Sequence, residues 1–278
     1  MAVAPAREAI VSWNTPELTG RIDVAIELTD GRRSSALDFV EFGPSQRRSL
    51  NGHDAVATLA TDVVRADGEI AAVEIHATVP LTLVAVSTPN HRPPPRRRPA
   101  AGVELAVPER SQYLPAFPVE RGWCSPTTLS MLLEHAGIAR TVPEIVAGVY
   151  DATYAGTGNW VFSAAYAGSV GLFGVVLYVR DLDQAAACIR AGVPLALSIG
   201  WSNGALPGAP LEASAGHLVV LRGFSAAGDP IVNDPANAVV RTVYPRAAFE
   251  RVWIGHGGIA YAIAPADRTD AIVALVND

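Results

Sequence analysis

Cys124 is the residue with the most chemical promise, because the sequence behind it carries a strong helix signal. In Arg-Gly-Trp-Cys-Ser-Pro-Thr-Thr-Leu-Ser-Met-Leu-Leu-Glu-His-Ala-Gly, residues 121–137, Leu129, Leu132, Leu133 and Ala136 recur at helical spacing. Pro126 suits a first turn, where its missing N–H costs nothing, and Gly137 suits the stop. The spacing therefore predicts a core-facing helix with Cys124 at its mouth. Unpaired N–H groups and the positive end of the helix dipole favour a thiolate there, and the thiolate is the nucleophilic form. A small buried hydrophobe is the alternative role for such a cysteine.

A sulfur nucleophile needs a base, and the base needs an orienting partner. The six histidines are residues 53, 76, 91, 135, 217 and 256. His135 rides on the same helix as Cys124 and lies roughly 16 Å away at ~1.5 Å rise per residue. His53 and His76 belong to the N-terminal segment, and His91 to a Pro/Arg-rich stretch. His217 opens the apolar run His217-Leu218-Val219-Val220-Leu221, which places an imidazole at the mouth of a sheet. It is preferred over His256, which sits in the loop Gly255-His256-Gly257-Gly258.

The run from His217 turns at Ser225-Ala226-Ala227-Gly228 and returns as Pro230-Ile231-Val232-Asn233-Asp234. Such a hairpin brings the level of residue 236 opposite residue 217, within side-chain reach of Asp234. Asn233 and Asp234 point to opposite faces, so only one of them can hold the imidazole, and Asp234 is favoured. A helix-mouth backbone N–H at Cys124 could supply one donor to an oxyanion, and the Gln112 side chain a second.

These residues have to be positioned by an α+β frame. Residues 1–90 read as short strands and turns: 21–28 with period-two alternation, 39–42, 55–59, 72–77 and 81–86. Their spacing predicts a small β-sandwich with a supporting role. Asn90 to Ala101, with three consecutive prolines and three consecutive arginines, reads as an extended solvated linker over 91–101. Residues 102–278 then form the second domain: helices at 126–136, 142–150, 159–167 and 182–190, and strands at 175–179, 195–199, 217–224, 230–234 and 258–263. Helices packed on an antiparallel sheet are expected.

Composition narrows the function. Half of the chain is hydrophobic and 17% is charged, so a sizeable core is available. A net charge of -6 gives no reason to expect nucleic acid as a partner. No run of 18 apolar residues predicts a membrane span. The N-terminus lacks a charged head followed by an apolar run, which points to the cytoplasm unless a signal has been removed. The two cysteines, 124 and 188, cannot form a zinc cage, though an oxidising compartment would allow one disulfide. Neither His-Glu-x-x-His nor a phosphate-cradling glycine loop occurs, and no cofactor or metal is implied.

Gln112, then Trp-Cys-Ser-Pro-Thr at 123–127, then Gly216-His217 with Val219-Val220 and Gly223, then Asn233-Asp234-Pro235 resemble, in that order, the papain-like cysteine peptidases. Within them the chain is most similar to the bacterial double-glycine (bacteriocin leader) peptidase-like proteins, over roughly 105–265. Gly158-Asn159-Trp160, Gly168-Ser169-Val170-Gly171 and Tyr244-Pro245-Arg246 also resemble relatives with an N-terminal β-domain. The resemblance implies a papain-like fold over 102–278 and a peptide or peptide-like substrate. It also implies Gln112 as oxyanion donor, Cys124 as nucleophile, His217 as base and Asp234 as orienter. The common Cys-Gly-Pro reads Cys124-Ser125-Pro126 here, which would narrow the cleft beside the sulfur. Two rival activities keep the same fold: peptide capture without cleavage, and acyl transfer to an amine.

Overall fold

The computed structural model describes residues 1–44, 46–89, 101–117, 122–270 and 272. All but the last residue of the expected 91–101 linker lies outside them. In chain order the first elements are β1 (Ala2–Asn14), β2 (Gly20–Leu28), β3 (Leu37–Phe42), β4 (Arg47–Ser49), β5 (Ala57–Ala60), β6 (Val63–Ala77), β7 (Leu83–Ser87) and β8 (Val103–Glu104). Three helices come next, α1 (Cys124–His135), α2 (Val142–Val149) and α3 (Trp160–Ser169), then β9 (Phe173–Tyr178) and α4 (Leu182–Arg190). The rest comprises β10 (Leu195–Trp201), β11 (Ser214–Phe224), β12 (Pro230–Asn233), β13 (Arg241–Val243), α5 (Arg246–Ile254) and β14 (Ile259–Ala264). The chain divides into two compact units, Met1–Asn90 with Val146–Leu177, and His91–Ile145 with Tyr178–Asp278.

Within Met1–Asn90 the strands join a single antiparallel sheet in the order β4-β3-β2-β6-β1-β7, with β5 also on β6. Spacing alone leads one to expect a two-sheet sandwich. Here the 15-residue β6 is shared by β1, β2 and β5, which ties all of them into one sheet. Asp67-Gly68 reads as a turn in sequence, yet β6 runs through it. The register shifts on both flanks of that point mark a bulge, which bends a strand without ending it. The alternation of β2 is as expected: Ile22, Val24, Ile26 and Leu28 face the core.

Residues 146–177 group with this sheet, where the sequence places them with 102–278. The reason is a set of buried contacts from β1. Asn14 Nδ2 donates to the carbonyls of Ala164 (3.3 Å) and Gly174 (2.9 Å), and its Oδ1 accepts from the Gly174 N–H (3.0 Å). Ser12 Oγ accepts from the Val176 N–H. The Phe162 ring meets Trp13 edge-on at 6.1 Å. Gly168 has to be glycine for this approach, since a Cβ there would fall 2.5 Å from the Asn14 Cβ.

In the second unit the strands run β13-β12-β11-β10-β14, all antiparallel, with β8 laid against β11. Helix α1 packs on β11, and its Leu129, Met131, Leu132 and Leu133 are fully buried. The short strands β8 and β13 and helix α5 carry weak sequence signals and are seen only in the structure. No helix among the described residues is long and apolar enough to cross a membrane.

Candidate active site

Cys124 is the first residue of α1 and remains partly accessible, whereas Ser125 to Leu133 behind it are buried. Trp123 precedes it with its ring 4.7 Å from Phe117, and no side chain caps the helix. The His217 imidazole and the backbone N–H groups of Leu218 and Ser125 favour the thiolate of Cys124. One turn further along α1, Thr128 Oγ1 donates to the Leu218 carbonyl at 3.0 Å. The Ser125 side chain turns inward and is 1% exposed, so the expected narrowing of the cleft by that serine is not what its position provides.

His217 lies on β11 opposite Ile199 of β10 and is 2% exposed. Its Nε2 is 2.8 Å from Asp234 Oδ1, and Trp201 meets the ring edge-on at 6.0 Å. With Nε2 engaged by the carboxylate, Nδ1 is the nitrogen left for the sulfur. Asp234 itself is fully buried. Its Oδ1 also accepts from the Ala236 N–H (3.0 Å), and its Oδ2 from the Tyr244 hydroxyl (2.8 Å). Asn233 faces the other way: its Oδ1 accepts from Arg222 (2.9 Å) and its Nδ2 donates to the Pro108 carbonyl (2.8 Å). The alternation of the strand thus brings Asp234, not its neighbour, to the imidazole.

The charges reinforce one another. Burial pushes the Cys124 thiol up, but the His217 hydrogen bond and charge, with the two backbone N–H groups, bring it below the ordinary thiol value. Burial alone would lower His217; the hydrogen bonds to Asp234 and Cys124 outweigh it and raise the imidazole well above its usual range. Asp234 is held low by His217 and Tyr244 against its own burial. Burial and the Asp234 charge push the Tyr244 phenol up, so it remains a donor. All three shifts run in the direction that favours a thiolate beside an imidazolium.

Gln112 reaches the same neighbourhood by its backbone, its N–H donating to the Pro235 carbonyl at 2.9 Å. Its side-chain Oε1 is buried without a hydrogen-bond partner. The remaining candidates lie apart from this pairing. His135 lies within hydrogen-bond distance of the Ala106 and Gly192 carbonyls, at 3.1 and 3.2 Å. Half-buried His256 packs over Gly200, and burial lowers its pKa. Cys188 is buried within α4, and both cysteines are free. No group of three or more His, Cys, Asp or Glu side chains that could hold a metal ion occurs among the described residues. Tyr244, Thr128 and the Leu218 backbone are what sequence reasoning missed. An isolated tyrosine or threonine carries no spacing signal, and main-chain donors leave none at all.

A model of the Peptidase_C39 like family matches residues 104–261. Among solved structures, a protein described as a C39-like peptidase from Bacillus anthracis is 18% identical with a TM-score of 0.44, over 58% of this chain and 96% of its own. The peptidase domain of Streptococcus ComA, a bifunctional ABC transporter of a quorum-sensing pathway, is 17% identical with a TM-score of 0.41, over 54% and 95%. A double glycine motif protease from an AMS/PCAT transporter, solved in complex with its leader peptide, is 19% identical with a TM-score of 0.42, over 60% and 98%. No curated protein matches the chain.

Proposed function

Because the chain belongs to the Peptidase_C39 like family, we propose that it is a cysteine peptidase in which Cys124, His217 and Asp234 act as one unit on a peptide amide. The observation that supports this reading is the buried His217–Asp234 pair at 2.8 Å, whose imidazole favours the thiolate of Cys124 at the open end of a helix. The thiolate attacks the carbonyl carbon, and the carbonyl π electrons move to oxygen. That oxyanion faces the Cys124 N–H and the Gln112 amide, which supply preorganised donors. His217 Nδ1 gives its proton to the leaving nitrogen as the C–N bond breaks, leaving a thioester on Cys124 and a free amine. Neutral His217 then takes a proton from water, whose oxygen displaces the sulfur. The acid product leaves, and the thiolate–imidazolium pair is restored. Asp234 holds the ring through both halves and remains ionised.

The test compares wild type with Cys124→Ala on a pooled peptide library that includes Gly-Gly sequences, with products identified by mass and a primary amine added in parallel. New carboxyl termini that require Cys124 support hydrolysis. Products carrying the added amine in place of water would assign acyl transfer instead. Equal, unchanged libraries in both arms, with Cys124 alkylating no faster than a model thiol, would overturn the peptidase reading.

A further inference from the structure

The β11–β12 ladder includes Val220 opposite Asn233, and two residues further out the same register sets Leu218 against Pro235. Alternate residues of a strand turn their backbone groups to the same neighbour. The Asp234 N–H is given to the Val240 carbonyl on the β13 side, so Asn233 turns its backbone groups to β11; Val220 opposite it, and Leu218 two residues away, therefore face the β12 edge. Pro235 has no N–H to offer the Leu218 carbonyl. Its own carbonyl is occupied by the Gln112 N–H. The ladder therefore stops one step short, and both backbone groups of Leu218 are left to another element.

Helix α1 meets that edge. The Leu218 carbonyl accepts from Thr128 Oγ1 at 3.0 Å, and the Leu218 N–H favours the Cys124 thiolate. Cys124 and Thr128 are four residues apart and share one helix face. We propose that Thr128 is a positioning residue: its hydroxyl grips the Leu218 carbonyl, fixing the nucleophile one turn away against the residue next to His217. Thr128 and Leu218 are both buried, so without the hydroxyl the carbonyl would have no donor, and the helix end would be free to slide along the strand. Pro235 makes the grip possible by ending the ladder. The inference rests on the peptidase reading, since it concerns the geometry of that nucleophile.

The test uses Thr128→Val, which keeps the shape and removes the donor, with Thr128→Ala as a smaller replacement and Thr128→Ser as the conservative one. The readouts are the pH dependence of Cys124 alkylation, kcat and KM on a cleaved peptide, and Tm. The expected result for Val and Ala is a thiol titration displaced upward and kcat reduced about tenfold with KM little changed, the size of one lost hydrogen bond expressed in the transition state. Thr128→Ser is expected to restore both. Variants that lose Tm but keep the wild-type titration and kcat would make Thr128 merely structural and overturn the proposal. A wild-type thiol that titrates like free cysteine would sink the peptidase reading, and this inference with it. A depressed wild-type thiol left unmoved in all variants would sink the inference alone.

Discussion

Asp234→Asn asks whether the carboxylate acts through its charge or only through its hydrogen bonds. The amide has nearly the same shape. Its oxygen can accept from His217 Nε2 and the Ala236 N–H, and its nitrogen can face a rotated Tyr244 hydroxyl, so the contacts at 2.8, 3.0 and 2.8 Å have replacements. What disappears is the charge. Two unit charges about 4 Å apart attract by about 4 kcal/mol at an effective dielectric of about 20. Part of this is returned, because a buried amide costs less to desolvate than a buried carboxylate, leaving roughly 1–3 kcal/mol. That corresponds to about 10- to 100-fold in the population of the thiolate–imidazolium pair or in kcat/KM. The assay is the rate of iodoacetamide alkylation of Cys124 from pH 4 to 10. Wild type should show an acid limb below that of an ordinary thiol and an alkaline limb well above that of an ordinary histidine. In the variant the acid limb should rise and the alkaline limb fall, narrowing the window from both sides. Stability should obey the same logic. Asp234 is held low in the folded state, so wild type carries stability above the carboxyl's unfolded pKa that is lost as pH falls through the folded one. The variant lacks that acid-side loss. Superimposable alkylation profiles would refute the claim that this carboxylate sustains the ion pair.

Three further outcomes are expected. Gln112→Ala should lower kcat by about 10- to 100-fold while leaving the alkylation profile of Cys124 unchanged, because an oxyanion donor acts only once the carbonyl has been attacked. Burial pushes the Cys188 thiol up to about 12, so native protein treated with a thiol reagent at pH 8 should be labelled at Cys124 alone, with Cys188 reacting only after denaturation, as peptide mapping would show. In the N-terminal unit, burial pushes the Asp62 carboxyl up to about 8, so the fold keeps a proton that the unfolded chain releases at about pH 4. Stability should therefore fall as pH rises through that window, and Asp62→Asn should flatten melts taken at pH 5, 7 and 9, with a gain on the order of 3 kcal/mol at the alkaline end.

The sequence makes the ends of the site legible because its signals there are local. Proline in a first turn and a leucine stripe announce α1, and an apolar run broken by Gly228 announces the β11–β12 hairpin. Counting back across that hairpin puts Asp234 beside His217, since strand alternation is a hard geometric rule. What joins those pieces is non-local. Thr128 meets Leu218 across 90 positions, and nothing in either neighbourhood marks the pair. Tyr244 reaches Asp234 only because β13 turns back beside β12. The N-terminal sheet fails for a related reason: Asp67-Gly68 has the chemistry of a turn, but tertiary pairing on both sides of β6 holds it as a bulge.

Residues 146–177 complete a structure whose first ninety residues are made much earlier. On the ribosome, β1 must wait with Asn14, Ser12 and the face of Trp13 uncovered until α3 and β9 emerge. During that interval the growing chain exposes an apolar surface that a holdase or self-association could capture. For the same reason, a fragment cut at residue 102 would carry Val161, Phe162 and Ala164 with no β1 to receive them. Separating the first ninety residues from the rest would therefore produce two sticky pieces rather than two domains.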